Sequence, residues 1–90
     1  MDYVYTETAV IVWDEAKRRS TLDKHGLDFA DVDEEFFLNA TIVTAKNRRH
    51  KAIGRVKGRS VVVVFAYLGS EGLSLVTMRP ADLKERKLIA

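Results

Sequence analysis

The sequence predicts an α+β fold, with a mostly antiparallel sheet, two N-terminal helices and a short C-terminal helix. Three observations carry this. Helix start and stop signals crowd the stretch from Asp14 to Asn39, whereas the chain beyond Thr41 alternates β-branched apolar segments with glycine turns. The run Val61-Val62-Val63-Val64-Phe65 is apolar on both faces, so its strand is central and covered on each side. After Pro80, Asp82 and Glu85 stand at capping-box spacing for a last short helix.

Taken in order, Ala9 to Trp13 is an apolar, β-branched run that reads as a short strand, which Tyr3 to Thr8 either extends or leaves to fray. Asp14 caps a helix that runs to His25, where Gly26 supplies a left-handed exit. Apart from Ala16 and Leu22 this helix is polar. It either lies on the surface, covering the core with the stems of Lys17, Arg18 and Lys24, or buries a face against a partner. Asp28 caps a second helix over Phe29 to Leu38, with Leu27 stapled onto Val32 and with Phe29, Val32 and Phe36 at helical spacing for the core. Strands follow at Thr41 to Ala45, His50 to Val56 and Ser60 to Leu68, the last two joined by a tight Lys57-Gly58 hairpin. Gly69 to Gly72 turns the chain into Leu73 to Arg79, and Pro80 ends that strand. The expected result is a meander with the helices packed on one face.

Ninety residues, 47% of them hydrophobic and 31% charged, make one domain spanning 1–90, with no repeat and no linker-like tract. The absence of cysteine rules out disulfides, thiolate metal sites and a cysteine nucleophile. The longest apolar run is too short to cross a bilayer, and the N-terminus lacks a secretory signal, so a cytoplasmic protein without membrane partners is expected. His25 and His50 stand outside any ligand-spaced cluster, and the acidic run Asp31 to Glu35 reads as a solvated helix face or a patch for a basic partner. No metal and no cofactor are therefore expected. No Gly-x-Ser-x-Gly elbow is present. The segment Gly54 to Ser60 is one residue short of a phosphate loop and lacks its lysine.

The small net charge of +2 conceals a division. Residues 1–45 hold ten acidic and four basic side chains, and residues 46–90 hold three acidic and eleven basic ones. Either the halves attract each other within one domain, or the second half presents an electropositive face to an anionic partner. Lys24-His25 at the first helix end, Arg55 and Arg59 around the hairpin, Arg79 at the last strand's exit and Arg86 beyond it form a set of fixed cations. Metal-free RNA cleavage suits such a set. The RNA's own 2′-hydroxyl attacks the phosphate, so the protein has only to position the backbone, stabilise the added charge and assist proton transfer. Arginine forks match phosphate oxygens, and lysine or histidine can carry protons.

Several segments together resemble the BrnT-type toxins of the RelE superfamily: Trp13-Asp14-Glu15-Ala16-Lys17, Lys24-His25-Gly26-Leu27-Asp28-Phe29, Ala52-Ile53-Gly54-Arg55, Thr77-Met78-Arg79-Pro80-Ala81 and Glu85-Arg86. The resemblance runs from about Ile11 to Ile89. It implies a RelE-like sheet with helices and the toxin of a type II toxin–antitoxin system, an endoribonuclease that inhibits translation. It also implies a BrnA-type antitoxin partner, and operator DNA contacted mainly through that antitoxin. Lys24, Arg55 and Arg79 fall on family motif positions and are implied to bind phosphate and stabilise the transition state. Thr77 keeps a hydroxyl where a serine often stands, and joins them as a catalytic candidate. Thr21 stands where relatives often have asparagine. His25, Arg59 and Arg86 are candidate RNA contacts. Read residue by residue, Lys24 and His25 also suit a helix C-terminus, and Arg79 an ion pair with Glu85. The alternative function is a non-catalytic nucleic-acid- or protein-binding module on the same scaffold.

Overall fold

The structure is a computed structural model that describes residues 2–5 and 10–90. In chain order it has strands β1 (Asp2–Tyr5) and β2 (Val10–Trp13), helix α1 (Glu15–His25), a 3-10 turn (Phe29–Asp31) and helix α2 (Glu34–Asn39). Strands β3 (Thr41–Thr44), β4 (His50–Val56), β5 (Arg59–Leu68) and β6 (Gly72–Pro80) follow, then helix α3 (Leu83–Lys87). The strands form one six-stranded sheet in the order β1-β2-β6-β5-β4-β3. Only β2 and β6 run parallel; the other neighbours are antiparallel. The fold is α+β with a mostly antiparallel sheet, and β5 lies inside it.

Three details differ from the sequence expectation. Asp2–Tyr5 is a strand of its own, paired antiparallel to β2, while the rest of the stretch thought to extend that strand lies outside the described residues. The expected second helix is broken. Asp28 caps only the 3-10 turn, by accepting from the Ala30 N–H; Val32 is extended at φ −90° and ψ 110°, and Asp33 restarts the chain as α2 by accepting from Phe36 N–H. Two aspartates five residues apart each hydrogen-bond the backbone locally, and such bonds compete with a continuous helical ladder. The break still delivers Phe29, Val32 and Phe36 to the core.

Helices also cover both faces of the sheet, not one. Successive strand residues point to opposite faces. Val61, Val63 and Phe65 accordingly pack with Trp13, Phe29 and Phe36, whereas Val62 and Ile53 pack with Ala81 and Ile89 from the C-terminal segment. Val61, Val62 and Val63 have no solvent exposure, because cover on each side demands apolar residues at every position. The Lys57-Gly58 hairpin has both residues at positive φ, 49° and 79°, as a type I′ turn requires. Asn47 and Arg48, both at φ 60°, make the β3–β4 connection the same way without a glycine.

Candidate active site

Helix α1 contains no buried residue, so its position depends on its ends. Asp14 accepts from the N–H groups of Ala16 and Lys17, and Gly26 at φ 67° returns its N–H to the Leu22 carbonyl. Arg18 bridges Glu15 on the same helix and Asp28 at 2.8 Å, which joins α1 to the 3-10 turn. The hydrogen bond from Arg18 holds the Asp28 carboxyl below the usual range against partial burial, with a further bond from the Ala30 N–H. At the other end Arg59 donates to the Gly26 and His25 carbonyls at 3.3 and 3.2 Å. These are the carbonyls that a helix leaves unpaired at its negative end.

Strand pairing explains where this helix lies. Strand β2 follows β6 only as far as Trp13 opposite Leu75, so among the described residues the β6 edge beyond Leu75 lacks a strand on that side. Helix α1 starts two residues after Trp13 and packs against β6. Between them is a cleft of about 370 Å³, lined by Lys17, Ser20, Thr21, Lys24 and His25 from the helix and by Val76, Thr77, Met78 and Arg79 from the strand. Four of the sequence candidates, Lys24, His25, Thr77 and Arg79, thus meet in one place although more than fifty residues separate the two segments. Lys17, Ser20 and Thr21 were not singled out as site residues, yet they stand seven, four and three residues before Lys24, which puts all of them on one helical face.

The remaining candidates lie elsewhere. Arg55 lines a larger cleft of about 690 Å³ and donates to the Ile89 carbonyl at 3.4 Å. That cleft is rimmed by Asp31, Asp33 and Glu35, which repel phosphate, so the smaller cleft is the better anion site despite its size. Arg59 is exposed and engaged with the end of α1, and Arg86 is exposed on α3. His50 packs into an aromatic group, stacked on Phe65 at 5.6 Å and edge-on to Tyr67 at 4.9 Å, away from the cleft residues. Among the described residues no cluster of three or more potential ligands is placed to hold a metal ion.

Arg79 is the most constrained of the cleft cations. Its Nη1 and Nη2 donate to the two oxygens of Glu85 at 2.7 and 2.8 Å, and Nη1 also donates to the Pro80 carbonyl at 3.2 Å. Glu85 is 7% exposed and completes a capping box with Asp82. The Arg79 hydrogen bonds, followed by the Asp82 N–H, outweigh burial and bring the Glu85 carboxyl down to about 2. Lys51, which the sequence reading did not single out, stands 3.6 Å from the same carboxylate. The trio therefore carries a net positive charge even with Arg79 paired.

A helix end and an unpaired strand edge, lined by cations and hydroxyls over an α+β scaffold, define a small protein suited to hold a phosphodiester backbone. Comparison with known proteins narrows the class. Residues 13–85 match the model of the BrnT family, described as the ribonuclease toxin of a type II toxin–antitoxin system, and the chain belongs to that family. The chain is also similar to the Brucella abortus ribonuclease toxin BrnT, known from a crystal structure at 1.1 Å resolution. The two share 48% sequence identity, with 80% of this chain and 95% of that one covered and a TM-score of 0.74. Comparison with curated proteins finds no match. Membership makes the chain a ribonuclease toxin, with RNA as substrate and an antitoxin as partner. Among the described residues no helix is long and apolar enough to cross a membrane.

Proposed function

We propose that the chain is a metal-independent endoribonuclease that cleaves RNA by attack of the substrate's 2′-hydroxyl, working in the α1–β6 cleft. The observation that supports this reading best is the meeting of Lys24, His25, Thr77 and Arg79 there. Arg79 and Lys24 bind the scissile phosphate and stabilise the charge that builds on it, and the Thr77 hydroxyl hydrogen-bonds a phosphate oxygen. His25, beside Lys24, contacts the RNA at the same helix end. Arg59 and Arg86, outside the cleft, take neighbouring phosphates, which strengthens binding in a salt-dependent way without reading sequence, whereas Arg55 faces the acid-rimmed larger cleft and is assigned no phosphate. On this reading residues 1–90 form a single RelE/BrnT-like toxin domain that acts in the cytoplasm. A BrnA-type antitoxin neutralises it, and operator DNA is reached mainly through that antitoxin.

Cleavage of RNA by the purified chain, with and without ribosomes, tests the reading. Arg79→Ala is expected to lose about 2–4 kcal/mol of transition-state stabilisation, the loss typical of removing one preorganised donor. EDTA is expected to leave the rate unchanged. Activity that vanishes with EDTA and returns with magnesium, on RNA whose fold needs no metal, overturns the metal-free scheme. A chain that binds RNA and never cleaves it is instead a non-catalytic binding module.

A further inference from the structure

We propose that Glu85 is a positioning residue for the RNA-cleaving cleft: it grips the end of the Arg79 guanidinium so that the opposite edge faces the phosphate. The proposal rests on Arg79 acting at the scissile phosphate. An arginine has two edges that can take an oxyanion in parallel, one formed by the two η nitrogens and one by Nε with Nη2. Glu85 occupies the first, through bonds of 2.7 and 2.8 Å, and Pro80 takes a further Nη1 proton. The second edge has no protein acceptor among the described residues, and Arg79 is a wall of the cleft.

The anchor itself is fixed. The Glu85 side chain is 10% exposed, and its Oε1 accepts from the Asp82 main-chain N–H at 2.9 Å, a bond that needs no Asp82 side chain. A flexible arginine has to give up rotamer freedom when it binds phosphate, and one already held at its far end gives up less. Glu85 does not neutralise Arg79 alone, because Lys51, 3.6 Å from the same carboxylate, shares its charge.

Glu85→Gln keeps the shape, removes the charge and turns one of the two acceptors into a donor facing a guanidinium N–H. Cleavage kinetics and thermal unfolding are measured for the full chain as Glu85→Gln, Glu85→Asp, Arg79→Lys, the Glu85→Gln/Arg79→Lys double variant, and Asp82→Ala. The last breaks the helix cap but leaves the carboxylate on Arg79. Glu85→Gln is expected to lower kcat about 10- to 100-fold with KM little changed, the scale of misplacing one reacting group. Glu85→Asp, which keeps the charge on a shorter arm, should fall between it and wild type. In the Arg79→Lys background Glu85→Gln should cost less than about twofold more, since an effect exerted through Arg79 disappears with its fork. Asp82→Ala should lower the melting temperature while leaving kcat within about twofold of wild type.

Equal losses from Glu85→Gln in both backgrounds, or losses that simply follow the melting temperature across all the variants, overturn the positioning role. Should Glu85→Gln fail to fold, a Glu85→Asp chain with wild-type kcat overturns it as well. Full activity in Arg79→Lys is a different result: it removes Arg79's fork from the reaction, and the site reading falls with it.

Discussion

Arg59 donates from both η nitrogens to the carbonyls of His25 and Gly26, so the first residue of β5 closes the end of a helix that buries no side chain. This tie crosses from the sheet to the only wall of the cleft that is not itself part of the sheet. Exposed bonds of this kind contribute little to global stability, about 0.5–1 kcal/mol. Their local effect is larger, because nothing in the core holds α1. Arg59→Ala is expected to lower global stability by no more than that amount while raising hydrogen exchange at the amides of residues 22–26. If those amides keep wild-type protection, α1 is held by something other than this pair.

Val63 is fully buried between Ala52 and Met78, its partners across β4 and β6, in a strand with cover on both faces. A carboxylate there has neither water nor a cation, and it costs several kcal/mol against a total stability of about 5–15 kcal/mol for a domain. Val63→Asp is expected to abolish the cooperative thermal transition, as monitored by circular dichroism. A transition at the wild-type temperature shows that β5 is not the centre of the core.

Much of this was legible in the sequence because the signals are local. Asp14, Gly26, Lys57-Gly58, Pro80 and the Asp82–Glu85 box act within four residues of where they stand, and the elements they bound form as read. What was not legible depends on partners far along the chain. The N-terminal strand exists by pairing with β2, and the parallel pairing of β2 with β6 is what leaves an edge open for α1. The larger error, placing all helices on one face, has the same origin: the side on which the chain returns after Pro80 is settled by Ala81 and Ile89 finding Val62 and Ile53. In the site, the sequence named four of the residues that meet in the cleft. It could not separate Arg55 from them, since alternation along β4 does not say which cleft an exposed arginine faces.

Gly54 illustrates a residue whose reason is visible only in three dimensions. A Cβ at this position of β4 would stand 3.0 Å from Phe36 Cε1 and 3.4 Å from the Ala40 Cβ. Gly54→Ala therefore displaces the Phe36 ring, and the overpacking cost of about 1–3 kcal/mol exceeds the gain of about 0.5–1 kcal/mol from replacing glycine in a strand. Urea titration is expected to show a net loss, and Phe36→Leu in the same background should return part of it. A stabilised Gly54→Ala chain would mean that the α2–β4 contact is loose.

Acid should weaken the fold over a defined range. Glu85 titrates near 2 in the folded chain against 4.5 for the free carboxyl, and Asp28 is shifted in the same direction by Arg18. Both folded values lie below the unfolded ones, so their stabilisation is complete above about pH 5 and is lost as pH falls toward 2. For Glu85 the loss is on the order of 2–3 kcal/mol. Melting temperatures between pH 6 and pH 2 are expected to fall across this window, and Glu85→Gln to flatten the curve. A wild-type curve that is flat from pH 5 to pH 2 contradicts both ion pairs.

The antitoxin has to meet both signs of charge. The basic second half favours acidic side chains, whereas Asp31, Asp33 and Glu35 on the rim of the larger cleft repel them and accept lysine or arginine. Within the toxin these signs are only partly satisfied, for Lys57 reaches Asp31 at 3.4 Å while Asp33 and Glu35 form no ion pair among the described residues. Apolar contacts supply most of the affinity at such interfaces, and charges steer the encounter and set its register. Association with the antitoxin should therefore slow as salt rises from about 50 to 500 mM, where screening shortens to a few ångströms, while dissociation changes less. Stopped-flow binding separates the two rates. An association rate that does not fall with salt means that the halves neutralise each other within the chain, leaving no field for the partner to follow.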